Sequence, residues 1–226
     1  MKASLRTVTP QTPDTVTLRF DLSLEFKPGQ AVKILIPGDS KSRFFSISSS
    51  PSEPGYLEVT IKADAASGLM EILKNLQRGD TVEIEGPFGK FGLPDPVNAP
   101  LCFIAAGSGV TPFRAMVKYL LDTDATMDSW LLHSVKTQQD LIFQNEFSEW
   151  SGSRKNFHYV PTLTQDFDDN WDNETGRINE TLIRKHIAGK PCTYLLCGPA
   201  SFVGDMEKML QDQLKVLPAD IRREQW

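Results

Sequence analysis

Leu101-Cys102-Phe103-Ile104-Ala105-Ala106-Gly107-Ser108-Gly109-Val110-Thr111-Pro112 is the stretch on which the fold turns. Six apolar residues run without a polar break, which suits a strand buried on both faces of a parallel sheet. Gly107 and Gly109 then allow a tight turn. Pro112 suits a first helical turn, and the pattern stays helical to Leu121. A strand that turns through glycines into a helix can present free N–H groups to an anion. It can equally be a tight turn with no ligand. The third glycine of the usual dinucleotide fingerprint is absent, because Pro112 stands where it would be expected.

Downstream, strands and helices alternate. Ser129 to Ser134, Phe157 to Leu163 and Thr193 to Cys197 read as strands. Asn145 to Trp150, Asn179 to Ile187 and Ala200 to Val216 read as helices. This order predicts a doubly wound α/β domain. Gln165 to Thr175 is polar and acidic and reads as an exposed loop. Upstream the period changes to two. Thr15 to Phe20, Ala31 to Ile36, Tyr56 to Lys62 and Thr81 to Glu85 alternate, with Gly and Pro between them, which predicts an antiparallel barrel. Ser67 to Gln77 interrupts it as a helix, with Leu69, Ile72, Leu73 and Leu76 on one face. Pro94, Pro96 and Pro100 mark the join. The expected division is residues 1–97 for the barrel and 98–226 for the α/β domain.

The whole chain of 226 residues carries a net charge of -5, which argues against a nucleic-acid partner. Its three cysteines, Cys102, Cys192 and Cys197, are too few and too scattered for a disulfide framework or a four-cysteine iron–sulfur motif. A reducing, cytoplasmic setting is expected. The first residues show no apolar leader, and the longest apolar run is too short to span a bilayer. His133, His158 and His186 lack metal-ligand spacing, so no metal is expected.

Two further stretches carry chemistry. Arg43-Phe44-Phe45-Ser46 offers a guanidinium fork for phosphate, and Phe45 shares the strand face of Arg43, where it could stack on a flat ring. The plainer reading is a strand with a surface arginine and two core phenylalanines. Tyr194-Leu195-Leu196-Cys197-Gly198-Pro199-Ala200 is a second buried strand turning into a helix. Its thiol would face the Gly107 cleft, or be a buried structural cysteine.

Taken in order, these stretches resemble the ferredoxin–NADP⁺ reductase-like flavoproteins. Arg43-Phe44-Phe45-Ser46 is similar to the family's Arg-x-Tyr-Ser/Thr, and Gly86-Pro87-Phe88-Gly89 with Phe91 to its Gly-Pro-x-Gly-x-Phe. Gly107 to Pro112 is similar to Gly-x-Gly-x-x-Pro, and Cys197-Gly198-Pro199 to Cys-Gly-Pro. The resemblance implies a six-stranded Greek-key barrel for FAD (FMN less so) before a parallel-sheet domain for NADH or NADPH. It also implies hydride transfer from nicotinamide to flavin N5, then electrons to a separate acceptor. That acceptor would be a ferredoxin, a flavodoxin, an oxygenase or another redox partner, with no fused iron–sulfur domain.

Residue by residue, Arg43 would bind a flavin phosphate, with Phe44 beside it. Phe45 would pack on the isoalloxazine, and Ser46 would approach N5. Ile61, Lys62 and the Ser67-Gly68-Leu69-Met70 turn would hold ribityl and pyrophosphate groups. Met70 departs from the family's serine, and Ser67 with helix-start N–H groups would substitute. Gly107, Ser108, Gly109, Thr111, Pro112, Thr164, Gly198 and Pro199 would hold the nucleotide. Ser46, Cys197 and Glu224 would line the reacting centre. Trp226 would stack on the flavin, Glu224 preceding it at the family's spacing, or the C-terminus would be a frayed polar tail. Thr164-Gln165 stands where NADP⁺-preferring members carry Ser-Arg, which implies NADH, although Arg154, Lys155 and Arg177 leave a phosphate site open. Free-flavin or quinone reduction, and a non-catalytic nucleotide-binding or interaction subunit, are the alternatives.

Overall fold

A computed structural model describes residues 1–63, 68–165, 170–187 and 189–225. Two compact units emerge, Met1–Leu93 with Thr111–Asp124, and Pro94–Val110 with the rest of the chain.

The first unit is a six-stranded antiparallel sheet in the order β4-β3-β6-β1-β2-β5. Its strands are β1 (Lys2–Thr12), β2 (Thr15–Asp21), β3 (Ala31–Leu35), β4 (Arg43–Ser46), β5 (Leu57–Lys62) and β6 (Thr81–Phe88). Just past β4 the chain meets β5 at the bridge Ile47↔Val59, and the Ser48 N–H donates to the Glu58 carbonyl, so the sheet curls toward closure. Leu5, Leu18, Phe20, Val32, Ile34 and Val59 fill the interior. The alternation in β5 predicts one polar face, yet Glu58 and Thr60 are buried with Thr17 of β2. The hydroxyls of Thr17, Thr60 and Ser48 bond in series, which satisfies these buried polar groups. The helix α1 covers only Leu69–Asn75, a short segment of the expected 67–77 span. Ser67 lies outside the described residues.

The second unit holds six parallel strands in the order β10-β9-β8-β7-β11-β12. These are β7 (Leu101–Ala106), β8 (Ser129–Val135), β9 (Phe157–Leu163), β10 (Glu174–Thr175), β11 (Thr193–Gly198) and β12 (Ile221–Gln225). The helices α2 (Thr111–Asp122), α3 (Gln144–Ser153), α4 (Glu180–Ile187) and α5 (Ala200–Asp212) alternate with them in the chain. By contacts, α2 groups with the barrel. The strand order reverses between β7 and β11, where ligands of such sheets bind.

Three local expectations need correction. The last helix stops at Asp212 instead of Val216, because the backbone turns left-handed at Lys215. The end of the polar 165–175 segment is not all loop, since Glu174–Thr175 pairs with β9 and the Trp171 indole N–H donates to the Glu174 carbonyl. Of the two readings left open for the last residues, the frayed tail does not hold for Ile221–Gln225, which pair with Tyr194–Gly198 of β11. One apolar residue in five hides an edge strand from any period-two reading. No helix among the described residues is long and apolar enough to cross a membrane.

Candidate functional site

In the second unit the chain leaves β7 through a 3₁₀ turn, Gly107–Val110, and enters α2 at Thr111. The two glycines have different causes. Gly107 sits at φ 53°, and a Cβ placed on it would meet nothing within 4 Å, so its backbone conformation disfavours other residues while its surroundings are open. A Cβ on Gly109 would lie 2.2 Å from the Cys197 carbonyl oxygen. Gly109 therefore permits the turn to pack against the end of β11.

His133 of β8 fixes this turn from beneath. It is fully buried, and its Nε2 lies 2.9 Å from the Gly107 carbonyl oxygen. A carbonyl only accepts, so Nε2 carries the proton. Nδ1 then accepts from the Tyr159 hydroxyl at 3.4 Å. Burial pushes the His133 pKa down to about 4, which keeps the ring neutral. The sequence showed His133 only as lacking metal-ligand spacing, and nothing in that spacing could show that it holds the Gly107 peptide.

At the head of α2 the Thr111 hydroxyl is buried without a hydrogen-bond partner among the described residues. An orphaned buried hydroxyl costs about 1–3 kcal/mol. A polar group of a bound nucleotide would satisfy it. The open Gly107 turn by itself fits the approach of an anionic group, and the N-terminus of the 12-residue α2 by itself offers free N–H groups. Ser108 is half-buried in the same turn.

Cys197 is completely buried and pairs with Ala105 on one side and Glu224 on the other. Burial first, and the neighbouring Glu224 second, push its thiol well above the ordinary range. It is a neutral thiol and no nucleophile at neutral pH. The register brings Glu224 beside Cys197, as the sequence reading wanted, while Trp226 lies outside the described residues. Gly198 abuts the Ala106 side chain, 3.2 Å from a Cβ position, so Cys197-Gly198-Pro199 and the Gly107 turn are packed as one piece. Thr164 lies at the end of β9 and its hydroxyl donates to the Val135 carbonyl.

In the first unit, β4 pairs with β3, and among the described residues it forms no ladder with β5; only just past β4 do the Ile47↔Val59 bridge and the Ser48 N–H bond to the Glu58 carbonyl join the two. Backbone groups along Arg43–Ser46 and Thr60–Lys62 thus lack each other as partners, and the opening offers donors and acceptors to a flat polar ring. The Arg43 guanidinium donates through Nε to Asp39 at 2.8 Å, and this bond holds the Asp39 carboxyl below its usual range. Arg43 remains partly exposed, which leaves its planar end available to phosphate. Ser46, at the end of β4, is half-buried. Phe45 is half-buried against the barrel core, whereas Phe44 is exposed and meets Phe88 edge-on at 5.5 Å.

The other expected contacts are thinner. Ile61 and Leu69 are buried in the barrel core, so only their backbones could touch a ligand. Met70 packs against the same core, and Lys62 pairs with Asp14 at 3.1 Å. Gly68 caps α1 at φ 64° with no side-chain bond. Seven residues give this helix little dipole, so the helix-start contribution expected there is weak. Among the described residues the donor set, with the Arg43 guanidinium, the Ser46 hydroxyl and the outer edge of β4, still fits a flavin.

Sequence reasoning missed Arg114. This α2 arginine is buried and donates to the Ser48 carbonyl at 2.8 Å, with Glu53 at 3.3 Å and Glu58 at 3.6 Å. Glu58 also takes Arg19 at 2.7 Å. A helix anchored by a buried arginine carries no motif that its own sequence shows.

Comparison with known proteins agrees with this geometry. Residues 2–92 match the model of the oxidoreductase FAD-binding domain, and residues 103–208 that of the oxidoreductase NAD-binding domain. The chain is 27% identical over 213 residues to the propane 2-monooxygenase reductase component of Rhodococcus jostii, covering 90% of this chain and 58% of that one. It is 31% identical over 192 residues to the phenol 2-monooxygenase reductase component DmpP of a Pseudomonas strain, covering 82% and 54%. The chain thus spans little more than half the length of these relatives. The crystal structure of the Amycolatopsis cytochrome P450 reductase GcoB superimposes with a TM-score of 0.88 at 25% identity, covering 100% of this chain and 69% of that one. With an FAD-binding domain followed by an NAD-binding domain across most of its length, the chain belongs to the ferredoxin–NADP⁺ reductase-like family of flavoprotein oxidoreductases.

Proposed function

We propose that this chain is an FAD-dependent NAD(P)H reductase that delivers electrons to a separate acceptor, of the kind that serves an oxygenase. The observation that carries the reading is the succession, in one chain, of an FAD-binding-type barrel and an NAD-binding-type parallel sheet whose Gly107 turn is open and left-handed at its glycine. Similarity to monooxygenase reductase components supports the acceptor class. We assign residues 1–97 to flavin and 98–226 to nucleotide.

FAD, when bound, supplies the step from a two-electron donor to one-electron acceptors. The protein supplies orientation. Arg43 holds a flavin phosphate, and the open edge of β4 with Ser46 receives the ring. The Gly107 turn, held by His133, receives the nucleotide's charged groups. Cys197 and Glu224 form the end of the sheet beside that turn, the thiol neutral and apolar in character. Trp226, which by the resemblance would stack on a flavin, lies outside the described residues.

Anaerobic titration tests the reading. The purified protein is expected to hold FAD, released by acid and identified by chromatography, and NADH should bleach its absorbance within one equivalent. A protein that gains no flavin absorbance when supplied with FAD or FMN overturns it. A panel with an iron–sulfur protein, free flavin and a quinone then sorts the acceptors.

A further inference from the structure

The second unit has a cavity of about 240 Å³ at the carboxyl ends of its strands, the same end as the Gly107 turn. Ser134 follows the middle of β8, Thr164 follows β9, Arg177 precedes α4, and Ser201 and Asp205 come from the first two turns of α5. Apolar side chains, Phe202 among them, complete the lining. A flat base with a hydroxylated sugar suits such a mixture, so the cavity fits the adenosine half of a nucleotide.

Two charges decide which nucleotide. A ribose diol presents two O–H donors, and one carboxylate accepts both. A 2′-phosphate is instead close to a dianion with only acceptor oxygens, and it needs uncompensated cations. Among the described residues the cavity has one cation, Arg177, and one carboxylate, Asp205, so it holds no net positive charge for a phosphate. Nor does Thr164 have a spare proton, since its hydroxyl already donates to the Val135 carbonyl. We propose that Asp205 is a specificity-determining residue, accepting the free ribose diol of NADH and excluding the 2′-phosphate of NADPH. This goes beyond the Gln165 argument, which rested on the absence of a cation; here a carboxylate actively repels the phosphate.

The proposal rests on the nucleotide reading above, and the test separates the two. Binding of NAD⁺ and NADP⁺ to the flavin-loaded protein is measured by calorimetry, alongside flavin reduction by NADH and NADPH in stopped flow. The parent is expected to bind NAD⁺ at least tenfold more tightly. Asp205→Ser, a change on an exposed helix position, should narrow that ratio about tenfold, mainly through tighter NADP⁺. Adding Arg177→Ala should take the gain away again, because the guanidinium, no longer offset by Asp205, is what the phosphate would use. A parent that prefers NADP⁺, or a ratio that Asp205→Ser leaves unchanged, overturns the specificity role. Failure of both nucleotides to bind overturns the nucleotide reading itself.

Discussion

Gly107 and Gly109 look equivalent in the sequence and are not. Gly109→Ala drives a methyl into the Cys197 carbonyl and should cost about 3 kcal/mol, with nucleotide affinity falling as the turn shifts. Gly107→Ala meets no neighbour and bears only its left-handed strain, about 1 kcal/mol. Thermal melts of both variants check the order; equal losses would mean that the backbone contact at Gly109 is unimportant. His133 gives a pH signature. The folded ring resists protonation down to about pH 4, while the unfolded chain takes up a proton near 6.5. Its contribution is therefore complete above about pH 6.5 and is lost as the pH falls toward 4, on the order of 3 kcal/mol in all. Urea unfolding at pH 7 and pH 5 should show this slope, and His133→Gln, which cannot titrate, should flatten it.

Among the elements, α2 shows how polar chemistry positions a helix. Arg114 places a charge among Ser48, Glu53 and Glu58, all on the barrel side of the first unit. Arg114→Ala takes the buried guanidinium from Glu53 and leaves Glu58, at 6% exposure, with Arg19. Breaking a buried pair from one side costs several kcal/mol, and Arg19 still neutralises Glu58, so a loss of about 3 kcal/mol is expected. The urea midpoint reads it, and a shift no larger than that of an exposed Lys→Ala control would show the network to be ornamental. Elements with strong periods were legible from sequence, β9 to the residue and β7 as a continuous apolar run. The edge strands β10 and β12 were not, because few of their side chains are buried and their partners lie far along the chain.

At the scale of the molecule, the chain's order and its packing disagree over α2. The helix follows β7 in sequence yet counts with the barrel. A fragment ending at residue 97 would lack Arg114 and also Phe113, whose ring meets Phe91 at 5.9 Å. It should melt lower and less sharply than the barrel in the whole chain, and bind a hydrophobic dye; a sharp melt at the same temperature would show α2 to be dispensable. The sequence by itself determined the two-domain class, because binary patterning is local and its period changes from 2 to 3.6 near residue 98. It also marked the strand, turn and helix around Gly107 and the strand at Arg43–Ser46, because these signals are local. Only the tertiary structure decided that Gly109 serves Cys197, that His133 holds Gly107, that Arg114 anchors α2 and that Asp205 shares a cavity with Arg177. Each of those pairings joins residues 26 to 88 positions apart or turns on burial, and a side chain's burial is fixed by what folds over it, which no local pattern records.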